Sequence, residues 1–245
     1  MTPSPAPADH LPVVILAGGL ATRLRPITEQ IPKILIDVGG RPFAEYQLAL
    51  LRKHGLTNIV LCVGYLGEQV QATLGDGQRW GVRLRYLFDG PTLLGTGGAL
   101  QRARALVGEA FFVLYGDTYL DCDYLAAEAA FRASGKSGLM TVFHNANQWD
   151  RSNVLYRDGQ IVRYSKQQPT ADMAHIDYGL GLLKAAALDG YPTDQPFDLA
   201  TVYEALSVRG DLAGFEVTKR FYEIGSFAGL DATRQYLSAA DTEAE

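Results

Sequence analysis

The sequence has few of the features that mark secreted, membrane-spanning or nucleic-acid-binding proteins. Among its 245 residues are two cysteines, Cys62 and Cys122, too few and too far apart for a disulfide framework or a zinc cluster. No apolar run reaches the roughly 18 residues that span a bilayer. The net charge is -5, and no block of Lys or Arg offers a basic stripe to nucleic acid. We therefore expect a cytoplasmic protein without membrane or nucleic-acid partners.

The first twelve residues contain four prolines and no apolar segment of the kind that a signal peptide needs. We expect residues 1–12 to form a disordered extension. The rest of the chain is long enough, and at 47% hydrophobic residues apolar enough, to bury a sizeable core. We expect a single domain at residues 13–238, with a first half at about 13–137 and a second half at about 138–238.

From residue 13 onward, short aliphatic runs alternate with amphipathic segments, a pattern typical of βαβ units and of a mostly parallel sheet. In the first half, strands are predicted at residues 13–17, 58–63, 82–88 and 111–115, and helices at residues 41–54, 66–74 and 97–107. In the second half, strands are predicted at residues 139–143, 153–156, 161–164, 178–183, 214–217 and 220–224, and helices at residues 198–207 and 226–237. Asp158-Gly159 predicts a hairpin turn. The pattern as a whole predicts an α/β fold.

The loop after the first predicted strand is the most informative segment. Gly18 and Gly19 allow the backbone to approach a ligand closely and offer amide donors to a phosphate or a base. Ligands of open α/β sheets bind at the carboxyl ends of the strands, where this loop lies. It matches neither the P-loop nor the dinucleotide fingerprint. A tight turn would explain the glycines alone, but not the closely following charges of Arg23, Arg25 and Lys33.

Four ordered motifs resemble those of the sugar-phosphate nucleotidyltransferase family, and the resemblance extends from residue 13 to about residue 237. The first is Ala-Gly-Gly-x-x-Thr-Arg-Leu-x-Pro at residues 17–26, followed by Pro-Lys at 32–33 and Gly-Arg-Pro-Phe at 40–43. The others are Leu-Gly-Thr-Gly-Gly-Ala at 94–99, Tyr-Gly-Asp at 115–117 and Phe-Tyr-Glu-Ile-Gly-Ser at 221–226. Within the family, Gly-Thr-Gly-Gly-Ala at 95–99, Gly-Asp-Thr-Tyr at 116–119 and Ile-Asp-Tyr-Gly-Leu-Gly at 176–181 look most like the D-glycero-D-manno-heptose 1-phosphate guanylyltransferase branch.

The resemblance implies a Rossmann-like three-layer αβα fold, similar to GT-A, with a mixed, mostly parallel central sheet. It also implies that the first half binds a nucleotide and the second half a sugar phosphate. In the implied reaction, a sugar-phosphate oxygen attacks the α-phosphorus of an NTP and pyrophosphate leaves in line. Two anions must meet, so such a site needs positive charge and a metal more than a general base.

The resemblance also assigns residues to roles. Arg23 would stabilise the triphosphate, Lys33 would contact the α-phosphate region, and Asp117 and Glu223 would hold Mg²⁺. The implied nucleotide contacts are Leu16, Ala17, Gly18, Gly19, Gly95, Thr96, Gly97 and Gly98. The implied sugar-phosphate contacts are Asn153, Lys166, Asp177, Tyr178 and Gly179.

The chain departs from the family pattern at four positions. Ile34 stands where proline or glutamine is common, a neutral change. Ala21 stands where glycine is usual, which restricts the loop but leaves Arg23 in register. Glu223 stands where aspartate is usual, so this carboxylate is one methylene longer. Lys166 lies in Ser-Lys-Gln-Gln-Pro, whereas the family's sugar-phosphate lysine usually follows glutamate and precedes proline.

The expected function is synthesis of an NDP-sugar for cell-surface glycans, with GTP and a heptose or hexose 1-phosphate favoured by the branch resemblance alone. One alternative is a uridylyl- or cytidylyltransferase acting on another phosphorylated metabolite. Another is a non-catalytic regulator that binds NDP-sugars, which would be expected to lose Arg23, Lys33 or Asp117. An NAD-linked oxidoreductase would need a spaced glycine fingerprint that the chain lacks. With no hexapeptide repeat and no coiled coil, we expect a monomer or a small homo-oligomer.

Overall fold

Thirteen strands and six α-helices follow one another in residues 10–243, the part of the chain that this computed structural model describes. The strands are β1 (Val13–Ala17), β2 (Asp37–Val38), β3 (Arg41–Pro42), β4 (Asn58–Val63), β5 (Arg83–Phe88), β6 (Ala110–Tyr115), β7 (Thr118–Tyr119), β8 (Gly138–His144), β9 (Val154–Arg157), β10 (Gln160–Tyr164), β11 (His175–Lys184), β12 (Leu212–Val217) and β13 (Tyr222–Glu223). The helices are α1 (Phe43–Lys53), α2 (Gly67–Leu74), α3 (Gly95–Val107), α4 (Tyr124–Ser134), α5 (Leu199–Val208) and α6 (Phe227–Glu243).

Nine strands form one central sheet in the order β5-β4-β1-β6-β11-β8-β12-β10-β9. The sheet is mixed, as predicted, but parallel neighbours do not dominate it. Four pairings are parallel and five are antiparallel. The prediction of a mostly parallel sheet is therefore wrong. The strands from β5 to β6 pair in parallel, but beyond β6 only β8 and β12 do. Crossover helices join the parallel strands of the first half, whereas β9 and β10 are joined by the tight Asp158-Gly159 turn, in which both residues have positive φ.

Alternate residues of β1 face opposite sides of the sheet, and this alternation sets the layers of the fold. Val13 and Ile15 belong to a core that contains buried residues of α1, α2 and α4. Val14 and Leu16 belong to a second core, which contains buried residues of α3 and α5. The predicted three-layer αβα arrangement is therefore confirmed. Helix α6 packs elsewhere, in a third cluster with residues of the loop after β1.

The N-terminal boundary differs from the prediction. Residues 1–9 of the predicted disordered extension lie outside the described residues. Residues 10–12, by contrast, contact the body of the fold. The ring nitrogen Nδ1 of His10 lies 3.0 Å from the Glu128 carboxylate, and the carbonyl of Pro12 accepts a hydrogen bond of 2.9 Å from the amide of Phe112. The prediction of disorder is wrong for these three residues, because proline content does not reveal a buried carboxylate elsewhere in the chain.

None of the helices within residues 10–243 has the length and apolar composition of a membrane span.

Candidate active site

Two adjoining cavities open along the edge of the sheet where β1 and β6 end. The first cavity, of about 260 Å³, lies against the loops that follow β1, β5 and β6. The second cavity, of about 480 Å³, lies against β11 and the segments around β9 and β10. Tyr115 and Asp117 line both cavities and so form a shared wall. This edge is the one at which open α/β sheets bind ligands.

The first cavity brings together most of the residues predicted to contact a nucleotide. Those on its wall are Leu16, Ala17, Gly18, Gly19, Gly95 and Thr96, together with Lys33 and Asp117. Gly18 is needed for close approach, because a Cβ there would lie 3.0 Å from a carboxylate oxygen of Asp89. Nothing lies within 4 Å of the corresponding position at Gly19, which leaves that part of the loop open.

Gly97 and Gly98, by contrast, do not line the first cavity. Both are buried in the first turns of α3, and a Cβ at position 97 would overlap the ring of Phe197. The amide of Gly97 donates to the carbonyl of Phe197 at 2.9 Å. The glycines allow α3 to pack against the segment before α5, and nucleotide contacts at these two positions stay a prediction.

Four charged side chains predicted to act together meet at the shared wall. Lys33 Nζ lies 2.6 Å from Asp117 Oδ2 in an ion pair. A Cβ at Gly225 would lie 3.0 Å from a guanidinium nitrogen of Arg23 and 3.5 Å from Asp117 Oδ2, and it would collide with Oε2 of Glu223. Arg23, Asp117 and Glu223 thus surround one small space that only glycine at position 225 leaves open.

The local sequence holds Arg23 in place through its neighbours. Ala21 adopts a left-handed conformation with φ of 49°, and its carbonyl accepts hydrogen bonds from the amide of Leu24 and the hydroxyl of Thr28. Leu24 is fully buried, so the one-turn 3₁₀ helix at Thr22–Leu24 is anchored on one side while Arg23 projects from the other. A left-handed alanine costs roughly 1–2 kcal/mol, which explains why glycine suits position 21.

Gln47 of α1 fixes the loop that carries Asp117. Its side-chain amide donates to the carbonyl of Tyr115 at 3.0 Å and to that of Thr118 at 2.7 Å. The loop is further tied by the amide of Ile224, which donates to the carbonyl of Asp117 at 2.9 Å and so brings the segment of Glu223 beside it. The helical spacing of α1 shows that Gln47 faces inward, but not that it holds this loop.

The second cavity brings together all five residues predicted to contact the sugar phosphate, namely Asn153, Lys166, Asp177, Tyr178 and Gly179. The pairing of β11 with β8 shifts register between Asp177 and Gly181, and Gly179 has φ of +101°. This irregularity turns the strand beside the cavity, as bulges next to binding sites do. Asn153 Oδ1 accepts a hydrogen bond of 3.0 Å from the amide of Asp177. The ring of Tyr178 is buried in the core against Phe221, as a plain strand residue would be.

Two carboxylates at these cavities have raised pKa values. Burial raises the pKa of Asp177 to about 6, although the amide of Gly179 and the charge of Lys166 act to lower it. Burial also raises the pKa of Asp89, against the opposing effects of the amide of Leu94 and the charge of Arg102. Buried acids with perturbed pKa values are typical of functional sites.

Asp89 was not predicted as a site residue. It follows β5 at the same edge of the sheet where Asp117 follows β6, and it lines the first cavity. Its Oδ2 accepts a hydrogen bond of 3.3 Å from the amide of Leu94. The signal in the sequence is its place directly after the strand predicted at residues 82–88.

Two carboxylates border the space above Gly225, and the donor set suits a hard divalent cation. Within the part of the chain that the structure describes, no three His, Cys, Asp or Glu side chains cluster as metal ligands. Both oxygens of Glu223 accept hydrogen bonds, from the amide of Gly225 and the hydroxyl of Ser226. A cation here would have Asp117, Glu223 and phosphate or water oxygens as ligands, a combination typical of Mg²⁺.

Comparison with known proteins agrees with this geometry. Residues 12–152, more than half of the chain, match the sequence model of the family described as Nucleotidyl transferase. The chain belongs to this family. The solved structure of HddC from Yersinia pseudotuberculosis shares the fold, with a TM-score of 0.77 at 23% identity, covering 93% of this chain and all of that one. The predicted Rossmann-like nucleotidyltransferase fold is confirmed.

Three relatives in the nucleotidyltransferase family carry names of sugar-1-phosphate enzymes. The chain is 38% identical to the N-acetylmuramate alpha-1-phosphate uridylyltransferase of Neisseria meningitidis serogroup B, over 89% of this chain and 94% of the relative. It is 30% identical to the D-glycero-alpha-D-manno-heptose 1-phosphate guanylyltransferase of Campylobacter jejuni, over 75% and 80%. It is 31% identical to a UTP--glucose-1-phosphate uridylyltransferase of Synechocystis, over 76% of this chain, but it spans only 52% of that relative. The predicted family membership is thereby confirmed.

A matched pair of glycine substitutions should separate packing from ligand approach. Gly97→Ala places a methyl group into the Phe197 ring and should lower the free energy of unfolding by about 1–3 kcal/mol, the usual cost of overpacking. In Gly19→Ala the added methyl group has no atom within 4 Å, so the free energy of unfolding should change by less than about 0.5 kcal/mol. Urea denaturation measures both. Equal stability of the two variants would contradict the packing role assigned to Gly97.

The raised pKa of Asp177 makes a prediction about stability and pH. The fold favours the neutral acid, so the ionised form costs stability increasingly as pH rises from the usual value of 3.8 through about 6. Asp177→Asn removes this cost and should raise the free energy of unfolding more at pH 7.5 than at pH 4.5. Urea denaturation at both pH values tests it. A stability difference that does not change between the two pH values would refute the burial argument.

Proposed function

We propose that the chain is a sugar-1-phosphate nucleotidyltransferase, which converts an NTP and a sugar 1-phosphate to an NDP-sugar and pyrophosphate. The observation that carries the proposal is the meeting of two cavities at one wall, where Arg23, Lys33, Asp117 and Glu223 converge. One cavity suits a nucleotide, the other a phosphorylated sugar, and the charges lie where their phosphates would meet.

In the proposed reaction, the NTP lies in the first cavity with its α-phosphate at the shared wall. Lys33 and Arg23 donate hydrogen bonds to phosphate oxygens and offset the negative charge that builds up as the two anions approach. A phosphate oxygen of the sugar 1-phosphate attacks the α-phosphorus. The bond to the bridging oxygen breaks, and its electron pair leaves with pyrophosphate. The attacking oxygen is already ionised at neutral pH, so the site needs no general base.

Mg²⁺ completes the proposal. Asp117 and Glu223 would hold it beside the phosphates, since both carboxylates reach the space above Gly225. When bound, such a cation neutralises phosphate charge and orients the phosphate oxygens. The side chain of Glu223 is one methylene longer than that of aspartate. Its carboxylate still borders that space, because it folds back onto Gly225 and Ser226.

The base of the NTP is proposed to bind near Asp89. A carboxylate accepts hydrogen bonds and donates none, so it favours a base with a ring N–H beside a carbonyl group. Guanine, uracil and thymine have that group, whereas cytosine and adenine can donate to a carboxylate only from an exocyclic amino group. Relatives named guanylyltransferase and uridylyltransferase support this choice. The cytidylyltransferase alternative is disfavoured on the same ground.

For the substrates we propose GTP with a heptose or hexose 1-phosphate, in nucleotide-sugar biosynthesis for cell-surface glycans. UTP is the second candidate, favoured by the 38% identity to a uridylyltransferase over nearly the full length of both chains. The proposal includes a cytoplasmic location, supported by two free cysteines, and a monomer or small homo-oligomer.

The decisive experiment measures pyrophosphate release with Mg²⁺ from GTP, UTP, CTP and dTTP against heptose, mannose, glucose and amino-sugar 1-phosphates. We expect one pair to dominate. Arg23→Ala removes a donor to the phosphates and should lower kcat by about 100-fold or more. Arg25→Ala is the matched control, because this exposed arginine pairs only loosely with Glu29, at 3.8 Å. Its kcat should stay within about twofold of the wild type.

If the wild type binds an NDP-sugar but releases no pyrophosphate with any substrate pair, the proposed enzyme function is wrong. The chain would then be a non-catalytic NDP-sugar-binding regulator. Equal loss of activity in the two arginine variants would show that general positive charge, and not the position of Arg23, supports the reaction.

Asp89→Asn tests base selection. The wild type should prefer GTP, UTP or dTTP over CTP, and the variant should narrow this preference by about 10- to 100-fold, the worth of a hydrogen bond to a charged group. The measured quantity is the ratio of kcat/KM values for the preferred NTP and CTP. Asp231→Asn, at an exposed carboxylate of α6, serves as control. An unchanged ratio in Asp89→Asn would place base selection elsewhere in the cavity.

A further inference from the structure

A carboxylate outside both cavities connects a residue of one with a residue of the other. Asp198 caps the N-terminus of α5, where its Oδ1 accepts hydrogen bonds from the amide of Ala200 at 2.9 Å and the hydroxyl of Thr96 at 3.1 Å. Its Oδ2 lies 3.0 Å from Lys166 Nζ. Thr96 lines the first cavity and Lys166 lines the second. One side chain therefore touches a wall residue of each.

Backbone contacts fix the Asp198 segment to the first cavity. The hydroxyl of Thr96 accepts a hydrogen bond of 2.8 Å from the amide of Leu199. Directly before Asp198, the carbonyl of Phe197 accepts a hydrogen bond from the amide of Gly97, and the amide of Phe197 donates to the carbonyl of Leu94 at 3.1 Å. The loop at residues 94–97 is thus hydrogen-bonded to the residues on either side of Asp198.

A second carboxylate of α5 holds the backbone that carries Lys166. Glu204 Oε1 accepts hydrogen bonds from the hydroxyl of Ser165 at 3.0 Å and from the amide of Lys166 at 3.3 Å. Helix α5 and its N-cap residue therefore contact both ends of Lys166: Glu204 accepts from its backbone amide, and Asp198 pairs with its ammonium group.

Hydrogen bonds to Asp198 favour the ionised form of its carboxylate. Partial burial acts to raise the pKa of Asp198, but hydrogen bonds from Ala200, Lys166 and Thr96 outweigh it and lower the pKa below its usual value. An exposed ion pair between two flexible side chains contributes little, because ordering both costs entropy. Here Asp198 is already held by two other donors, so only Lys166 remains to be ordered.

We propose that Asp198 is a positioning residue, which orients Lys166 over the second cavity and couples its position to Thr96 in the first. The inference rests on the proposed function, in which Lys166 contacts the sugar phosphate. Asp198 itself is not among the described residues that line the two cavities. In this proposal it therefore acts through Lys166 and not on the substrate itself.

Steady-state kinetics with the preferred substrate pair tests the proposal. Asp198→Asn keeps the N-cap and an acceptor for Thr96 but loses the charge that holds Lys166. We expect the KM for the sugar 1-phosphate to rise about fivefold, the order of one exposed ion pair, while kcat and the KM for the NTP stay within about twofold. The matched control is Asp189→Asn, which breaks an exposed pair of 2.6 Å with Arg104 away from both cavities.

Variants of Thr96 test the coupling. Thr96→Val removes the hydroxyl that joins Asp198 and Leu199, and it should raise the KM for the sugar 1-phosphate although residue 96 lies in the nucleotide cavity. Thr96→Ser keeps the hydroxyl and should raise this KM less than Thr96→Val does. In the double variant with Asp198→Asn, the two effects should be less than additive, as expected for residues of one network.

The outcomes separate this inference from the proposed function. An active enzyme whose sugar 1-phosphate KM is unchanged in Asp198→Asn, or changes equally in Asp189→Asn, would overturn the positioning role alone. Parallel increases in both KM values would indicate general damage to the fold and would also overturn it. A wild type that releases no pyrophosphate with any pair would overturn the proposed function and this inference together.

Discussion

The ion pair between Lys33 and Asp117 is the contact on which the proposed site depends. A site that brings two phosphates together must hold positive charge without letting it repel its neighbours, and a carboxylate at 2.6 Å meets that need. The pair can form because β1 and β6 are adjacent and parallel, with Leu16 beside Tyr115. Their carboxyl ends therefore deliver the loop of Lys33 and the turn of Asp117 to the same edge of the sheet.

The requirement for space is as strict as the requirement for charge. Gly225 leaves room for Arg23, Asp117 and Glu223 to face one another, and any larger residue would fill that room. In the loop before Arg23, Ala21 adopts a left-handed conformation, which is unfavourable for a residue with a side chain. Backbone strain of this kind persists only where surrounding contacts hold it, here the buried Leu24 and the hydroxyl of Thr28.

Local pattern predicted most of the longer strands and helices, but not the two-residue strands β2, β3 and β7. Runs such as β4 and the loop after β1 are encoded by consecutive residues, so their places could be inferred without knowing the fold. Long-range contacts could not. Gly97 looks like part of a ligand loop until Phe197, a hundred residues later, is seen against it. Asp89 directly follows a predicted strand, and Asp198 begins a predicted helix. Their further partners come from other strands and helices, and no spacing in the sequence records them.

The wall formed by Tyr115 and Asp117 has a consequence for turnover. Each proposed substrate occupies one cavity, whereas a nucleotide sugar would lie across the wall and occupy both. A product bound to the free enzyme would therefore exclude the NTP and the sugar phosphate alike. Accumulated nucleotide sugar would act as a competitive inhibitor toward either substrate, so that the shape of the site alone would limit its own output without a separate regulatory pocket.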